Sequence, residues 1–178
     1  MIFIPSKCLL TVEKALASPI GQIVAEHEYV FKNTQNRDFM VLTLYLVYEH
    51  CKQGDSFWWP FLDSMGELSL TGFWDESRYL SQIECPILLE ECRKYRADVV
   101  EEREALQKLV RIYTPSHFPA KGVSEKLFEK CYAMVTSRSF GLGISSTLLV
   151  PGADMLNHAD ETMVTQEMIN KKLHTSDN

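Results

Sequence analysis

The sequence predicts an α+β fold dominated by helices, with a few short strands set among them. Apolar residues recur at helical spacing along two long segments, 39–51 and 88–112. A third segment with this spacing, 124–137, begins at a serine suited to capping a helix. The apolar runs at 2–4 and 147–150 are short, and each stops at a proline, as expected of brief strands.

Length and composition are those of one ordinary globular domain. The chain has 178 residues, of which 46% are hydrophobic, 11% aromatic and 24% charged, and its formal net charge is −6. This composition excludes collagen-like and intrinsically disordered proteins. An acidic chain without a local basic stripe is not expected to bind nucleic acid directly. The longest apolar run, 39–48, is half of the ~20 residues that span a bilayer, so we expect no membrane partner. We also expect a monomer.

The cysteine pattern indicates reduced thiols. The five cysteines are an odd number and show no Cys-x-x-Cys spacing, which argues against both a disulfide framework and a zinc site. No basic region precedes the apolar residues at the N-terminus, so these residues do not form a signal peptide. We therefore expect a cytoplasmic or nuclear protein. The cysteines are Cys8, Cys51, Cys85, Cys92 and Cys131.

Capping residues predict the first helices after the initial strand. Thr11 is a plausible N-cap for a short helical turn over 14–17. Ser18 followed by Pro19 repeats the pattern and predicts a helix that continues to about Tyr29. After a polar turn at 33–37, the segment to residue 51 is apolar on nearly every side, which predicts a buried helix.

An aromatic cluster follows this buried helix. Residues 56–62 read Ser-Phe-Trp-Trp-Pro-Phe-Leu, and the proline keeps the segment from forming a long regular helix. Such rings either pack in the core or form a cage for a cation, and core packing is the commoner outcome. The aromatic residues concerned are Trp58, Trp59, Phe61, Phe73 and Trp74.

The segment 88–112 predicts one long amphipathic helix. Glu102 occupies the one position where the spacing calls for an apolar residue. A coiled-coil seam interrupted there is short, so we expect the helix to pack on its own domain. Tyr113-Thr-Pro115 ends it, since a residue before proline avoids helical geometry. In the helix that Ser124 caps, Cys131 lies on the apolar face and is expected in the core.

Three common kinds of site are not supported by the residues. Gly141-Leu-Gly143 lacks the third glycine and the preceding strand of a dinucleotide-binding loop. Asp154 and His158 have no second histidine or thiol at metal-ligand spacing, so we predict no metal site. No local signature marks an activated serine or cysteine nucleophile.

Two segments near the C-terminus carry a resemblance to a known family. Residues 137–140 read Ser-Arg-Ser-Phe, and residues 148–158 read Leu-Leu-Val-Pro-Gly-Ala-Asp-Met-Leu-Asn-His. With Gly-Asp-Ser-Phe-Trp-Trp-Pro-Phe at 54–61, they resemble SET-domain methyltransferases of the Rubisco large-subunit methyltransferase-like class. Ile-Pro-Ser-Lys-Cys-Leu-Leu-Thr at 4–11 agrees in order. The resemblance covers residues 1 to about 160.

The resemblance implies a partial SET (β-clip) core with a helical inserted subdomain. Residues 1–74 would form the N-terminal part of the SET region, 75–122 the helical insertion and 123–160 the C-terminal part. Residues 161–178 show little periodicity, and we expect a poorly ordered tail.

The resemblance also implies an activity and a site. The activity would be methyl transfer from S-adenosyl-L-methionine to a lysine of a non-histone protein substrate. By the resemblance, Asn157 and His158 would contact the cofactor, and Arg138 and Asp154 would line the substrate pocket. Such transfer requires a neutral amine, an in-line approach and a dry channel, with no metal or covalent intermediate. Taken from the residues alone, stabilising a turn is the commoner role of such side chains, and we would prefer it without the resemblance.

The sequence also departs from the family pattern. A glycine-rich cofactor segment lies upstream in the family, and a catalytic tyrosine follows the Asn-His turn. Here no tyrosine follows Tyr132, so we assign no catalytic residue. We expect the chain to be a piece of a longer product that binds the cofactor weakly when isolated and is inactive alone. A truncated SET-like protein-binding module and a related protein-histidine methyltransferase remain alternatives.

Overall fold

The computed structural model describes residues 3–32, 36–66, 68, 70–73, 77, 80–141 and 146–156. In this part of the chain, helices predominate and three two-residue strands form one small sheet. The helices are α1 Val12–Leu16, α2 Pro19–Glu26, α3 Glu28–Lys32, α4 Arg37–Lys52, α5 Trp59–Ser64, α6 Pro86–Ile112 and α7 Glu125–Arg138. The strands are β1 Leu10–Thr11, β2 Ser139–Phe140 and β3 Leu148–Leu149.

The sheet joins the two ends of the described chain. Its order is β1-β3-β2, and both pairings are antiparallel. Leu149 lies opposite Leu10 on one side and Ser139 on the other. Leu10 and Leu149 are both fully buried, so this short pairing is fixed by the core beneath it. The sheet therefore places the N-terminal segment beside the end of α7.

The predicted strand at 2–4 is wrong for the residues that the structure describes. Phe3 is 85% exposed. The carbonyl of Pro5 accepts a hydrogen bond from the Cys8 amide at 2.8 Å, and this hydrogen bond forms the 3₁₀ turn over Ser6–Cys8. The strand forms later, at Leu10, because that residue finds a buried partner in β3. Ile2 lies outside the described residues.

Both predicted N-caps near the start of the chain are confirmed. Thr11 Oγ1 accepts from the Lys14 amide, and Ser18 Oγ accepts from the Ile20 amide, each at 3.2 Å. The single helix expected from Pro19 to about Tyr29 is wrong, because the backbone leaves helical geometry at His27 and α3 starts afresh at Glu28. His27 Nε2 lies 3.1 Å from the hydroxyl of Tyr113, a contact with the end of α6 that local spacing does not reveal.

Helix α4 is the centre of the core, as the all-round apolar pattern predicted. Leu42, Leu44 and Leu46 have no exposed surface, and α7 packs along the helix. Cys131 of α7 is fully buried in this core, and burial raises the pKa of its thiol. In the described part of the chain, no helix is both long enough and apolar enough to cross a membrane.

Helix α6 packs on its own domain, as expected. Leu106, Leu109 and Val110 join the core that α4 organises. Further towards the N-terminus of α6, the 3₁₀ turn Thr71–Phe73 lies against the helix, and a Cβ on Gly72 would stand 3.1 Å from side-chain atoms of Tyr95 and Val99. A glycine therefore allows this close approach.

Glu102 explains the interruption in the apolar pattern of α6. One of its carboxylate oxygens accepts from the hydroxyl of Tyr132 at 2.6 Å, and the other accepts from Asn36 Nδ2 at 2.9 Å. Burial, followed by this hydrogen bond to Glu102, raises the pKa of Tyr132. The carboxylate thus links α6 to α7 and to the start of α4.

We expect Glu102→Leu to destabilise the fold even though it completes the apolar stripe. Tyr132 is 4% exposed, and a buried hydroxyl without an acceptor costs about 1–3 kcal/mol. Adding Tyr132→Phe should recover about 1 kcal/mol in a double-mutant cycle measured by urea unfolding. Glu104→Leu, at an exposed position of α6, is the matched control and should change stability by less than about 0.5 kcal/mol. Equal effects at the two positions would contradict this role for Glu102.

Candidate functional site

Arg138 and Asp154, two of the predicted site residues, lie in contact. Arg138 is the last residue of α7, and Asp154 lies in the 3₁₀ turn Ala153–Met155 that follows β3. Because β2 follows Arg138 directly and pairs with β3, the sheet brings the two residues together. Arg138 Nη1 donates to the backbone oxygen of Asp154 at 3.2 Å and lies 3.4 Å from its Oδ2. The carboxylate has no exposed surface, whereas the arginine side chain is 24% exposed.

The second carboxylate oxygen of Asp154 is held by the preceding turn. Asp154 Oδ1 accepts from the Gly152 amide at 2.8 Å. Gly152 has a φ of 91°, a conformation that residues with a Cβ rarely adopt. The amides of Ala153 and Asp154 both donate to the Val150 carbonyl at 3.1 Å. The carboxylate and the turn therefore fix each other, and both are tied to the end of α7.

Arg138 has a buried hydrogen-bond donor that the described residues do not use. Its Nε is buried and has no hydrogen-bond partner among them. A guanidinium presents five N–H donors in a planar fork that suits carboxylates. A buried donor without an acceptor is costly, so this N–H is suited to an oxygen from outside the described residues.

A cavity of about 390 Å³ opens beside this pair, and we call it the Asp154 cavity. Three separate parts of the chain form its walls: the N-terminal 3₁₀ turn, the aromatic segment and the turn after β3. Its apolar lining favours the exclusion of water. The lining includes Cys8, Phe57, Trp58, Phe61, Asp154 and Met155.

The aromatic segment adopts the short structure that its proline predicted, and Trp58 follows the core-packing alternative. Helix α5 starts at Trp59 with Pro60 in its first turn. Trp58 is only 7% exposed, and its indole N–H donates to the hydroxyl of Tyr45 at 3.1 Å. The cation over its ring is the chain's own Lys14, whose Nζ lies 5.3 Å from the ring centroid. Phe57, by contrast, is 63% exposed at the cavity.

The sequence analysis missed a buried polar network that supports this wall. Glu49 is 4% exposed, and it accepts from Ser56 Oγ at 2.5 Å and from Lys52 Nζ at 2.9 Å. Ser56 Oγ in turn accepts from the Trp58 amide at 3.0 Å. A glutamate within an otherwise apolar helix was the one available signal, because buried carboxylates require partners.

The other two predicted site residues, Asn157 and His158, lie outside the described residues, as do the tail 161–178 and residues 142–145 of the glycine-containing loop. The described chain reaches Leu156, directly after the turn that holds Asp154. The cofactor role of Asn157 and His158 therefore stays a prediction. The same holds for the substrate-pocket role of Arg138 and Asp154 and for the predicted domain boundaries.

The described residues contain no group of three or more histidine, cysteine, aspartate or glutamate side chains suited to holding a metal ion. All five cysteines have free thiols in the structure.

Comparison with solved structures identifies the fold. The SET domain of LSMT bound to lysine and AdoHcy superimposes with a TM-score of 0.72 at 22% identity, covering 88% of this chain and 34% of that one. The chain therefore has the fold of part of a SET domain of the LSMT type. The predicted class, helix-dominated α+β with a partial SET core, is confirmed.

Two further structures give the same result. Rubisco LSMT bound to AdoMet matches with a TM-score of 0.70 at 22% identity, and Rubisco LSMT bound to sinefungin and monomethyllysine with 0.70 at 23% identity. Each covers 92% of this chain and 35% of its own, so the chain spans about a third of the length of these proteins. No family model and no curated protein matches the sequence.

Proposed function

We propose that the protein containing this chain transfers a methyl group from S-adenosyl-L-methionine to a lysine side chain of another protein. The observation that carries the proposal is the SET-domain likeness, which extends over 88–92% of the chain to structures holding lysine, methyllysine or the cofactor. The Asn-His segment at 157–158 supports the same reading. We further propose a non-histone acceptor and a cytoplasmic or nuclear location, which the free thiols support.

A buried donor next to the Asp154 cavity fits the chemistry of the proposed site. S-adenosyl-L-methionine carries a carboxylate, and the buried Arg138 Nε is a donor without an acceptor among the described residues. This donor is compatible with a ligand that carries a carboxylate. Asn157 and His158 would contact the cofactor, and Arg138 and Asp154 would line the adjoining substrate pocket. When bound, the cofactor supplies an electrophilic methyl group on a sulfonium centre.

The chain's own residues prepare the site for an amine. Asp154 is held by Arg138 and by the Gly152 amide, and these contacts restrain the turn that precedes Asn157 and His158 in the sequence. The apolar part of the cavity lining disfavours a charged ammonium, since burial lowers the pKa of a lysine, and the Asp154 carboxylate in the lining is already paired with Arg138. A neutral amine held in a dry slot is the form of lysine that can accept a methyl group.

The tyrosine expected after the Asn-His turn is not replaced by Tyr132. That side chain is 4% exposed, and its hydroxyl is used by Glu102. We therefore assign no catalytic residue within this sequence, and the residues above act by binding, orienting and excluding water.

The proposal is tested on the whole protein, with any sequence that flanks this chain. Incubated with S-adenosyl-L-methionine bearing a tritiated methyl group and with cell-extract proteins, the wild type should label an acceptor protein. Asn157→Ala should reduce labelling about 100-fold, the scale seen when a group that stabilises a transition state is removed. Asn170→Ala is the matched control and should label normally.

Three results would contradict the proposal in different ways. Absence of label with the wild type would exclude the transfer. Unchanged labelling with Asn157→Ala would remove the role assigned to that residue. Binding of the cofactor without any transfer would favour the protein-binding alternative.

A further inference from the structure

Lys14 makes a set of contacts that the proposed function does not yet use. From α1, its Nζ donates to the backbone carbonyls of Ser6 at 2.8 Å, Lys7 at 2.9 Å and Leu9 at 2.8 Å. An ammonium has three N–H donors, so all of them are engaged. Hydrogen bonds from a charged donor are stronger than neutral ones. The Lys14 ammonium therefore binds backbone carbonyls in and next to the N-terminal 3₁₀ turn.

This turn has little apolar anchoring of its own. The 3₁₀ turn Ser6–Cys8 contains no buried residue, and Phe3 ahead of it is 85% exposed. The Cys8 amide donates a hydrogen bond to the Pro5 carbonyl, and the Leu9 amide donates one to the Ser6 carbonyl. Both hydrogen bonds are local to the turn and do not attach it to the rest of the domain. The Lys14 ammonium thus ties this turn to α1, in addition to the attachment that the buried Leu10 of β1 provides directly after it.

The same ammonium also contacts the aromatic wall. Its Nζ lies 5.3 Å from the centroid of the Trp58 ring, within the range of a cation–π interaction. The indole N–H of Trp58 donates to the Tyr45 hydroxyl, and its backbone amide donates to Ser56 Oγ. These two hydrogen bonds hold Trp58 in place. Cys8, on the N-terminal 3₁₀ turn, and Trp58 both line the Asp154 cavity. One charged group therefore holds two of the cavity walls against each other.

We propose that Lys14 is a positioning residue for the Asp154 cavity. It sets the position of Cys8 relative to Trp58 and thereby the width of the Asp154 cavity, whose lining also includes Asp154 and Met155. Because its donors are saturated, Lys14 acts through these walls and does not contact a substrate. The functional part of this inference rests on the proposed function, since this cavity is the one that would receive the acceptor lysine.

The test uses the whole protein and two independent measurements. Lys14→Met removes the ammonium, Lys14→Gln is the second variant, and Lys7→Met is a matched loss of charge at an exposed lysine of the same turn. The first measurement is the alkylation rate of Cys8 by iodoacetamide, read peptide by peptide in mass spectrometry with Cys85, which is exposed, as internal reference. Local opening should speed alkylation of Cys8 about 5-fold in Lys14→Met, with Lys7→Met and Cys85 unchanged.

The second measurement is steady-state methyl transfer. A widened cavity should raise KM for the acceptor about 10-fold while kcat stays within about 3-fold, because binding is impaired and the reacting groups are intact. A purely structural role would not separate KM from kcat in this way.

Each outcome decides the inference. Unchanged Cys8 alkylation in a folded Lys14 variant would overturn it, as would global unfolding of both variants in circular dichroism. Faster alkylation with unchanged KM would overturn the positioning role and leave only an anchor for the turn. Absence of transfer in the wild type would refute the proposed function alone, because the alkylation result still decides whether Lys14 holds the wall.

Discussion

Arg138→Met is expected to destabilise the fold and to abolish methyl transfer. The Asp154 carboxylate has no exposed surface, and the substitution would leave the Gly152 amide as its remaining contact among the described residues. Removing one partner of a buried pair costs about 3–5 kcal/mol, and the partial exposure of Arg138 places the expected loss near the lower value. Transfer should fall at least about 100-fold, because the same guanidinium is proposed to line the substrate pocket and to hold the turn that leads into Asn157 and His158.

The matched control is Arg37→Met. Arg37 and Asp38 form a pair at 3.6 Å whose side chains are 41% and 35% exposed, and such surface pairs contribute at most about 1 kcal/mol. Urea unfolding measures the loss of stability, and tritium incorporation measures transfer. Adding Asp154→Asn to Arg138→Met should recover part of the stability, since no unpaired carboxylate then remains. Equal losses of stability for the two arginine substitutions would contradict the stabilising role of the Arg138–Asp154 pair.

Phe128→Ala is expected to cost about 3–5 kcal/mol, the usual effect of removing a phenylalanine from a packed core. Phe128 is 1% exposed on α7 and belongs to the core around α4. The cavity left behind would weaken the packing between α4 and α7. It would also loosen α7, at whose end Arg138 lies.

Phe57→Ala removes the same atoms from a side chain that is 63% exposed. It should change the free energy of unfolding by less than about 0.5 kcal/mol. Thermal or urea unfolding of both variants distinguishes the two positions. A loss at Phe57 as large as that at Phe128 would mean that the cavity wall stabilises the fold as much as the α4–α7 interface does.

Local sequence signals predicted the helices that matter most for the fold. The spacing of apolar residues located α4, α6 and α7, and Thr11, Ser18 and Ser124 form the predicted capping hydrogen bonds. These features depend on residues within one or two turns of each other, which is the information that periodicity contains.

Contacts between distant residues set what local patterns could not predict. Strand β1 exists because Leu10 meets Leu149, and the break at His27 coincides with its contact to Tyr113. Glu102 broke an apolar pattern because its partners are distant in sequence: Tyr132 lies on α7, and Asn36 directly precedes α4.

The candidate site divides in the same way. The resemblance named Arg138 and Asp154, and the structure places them in contact. The supports around them, Glu49 with Ser56 and Lys14 with the N-terminal turn, were not predicted. Each is a polar contact whose strength depends on burial, and burial is known only once the chain is folded.

The most direct test of the central claim is to identify the atom that receives the methyl group. Tandem mass spectrometry of the labelled acceptor, prepared with the whole wild-type protein, should place added methyl groups on the Nζ of a lysine. Methyl groups on a histidine nitrogen, or no methylated acceptor at all, would contradict the account.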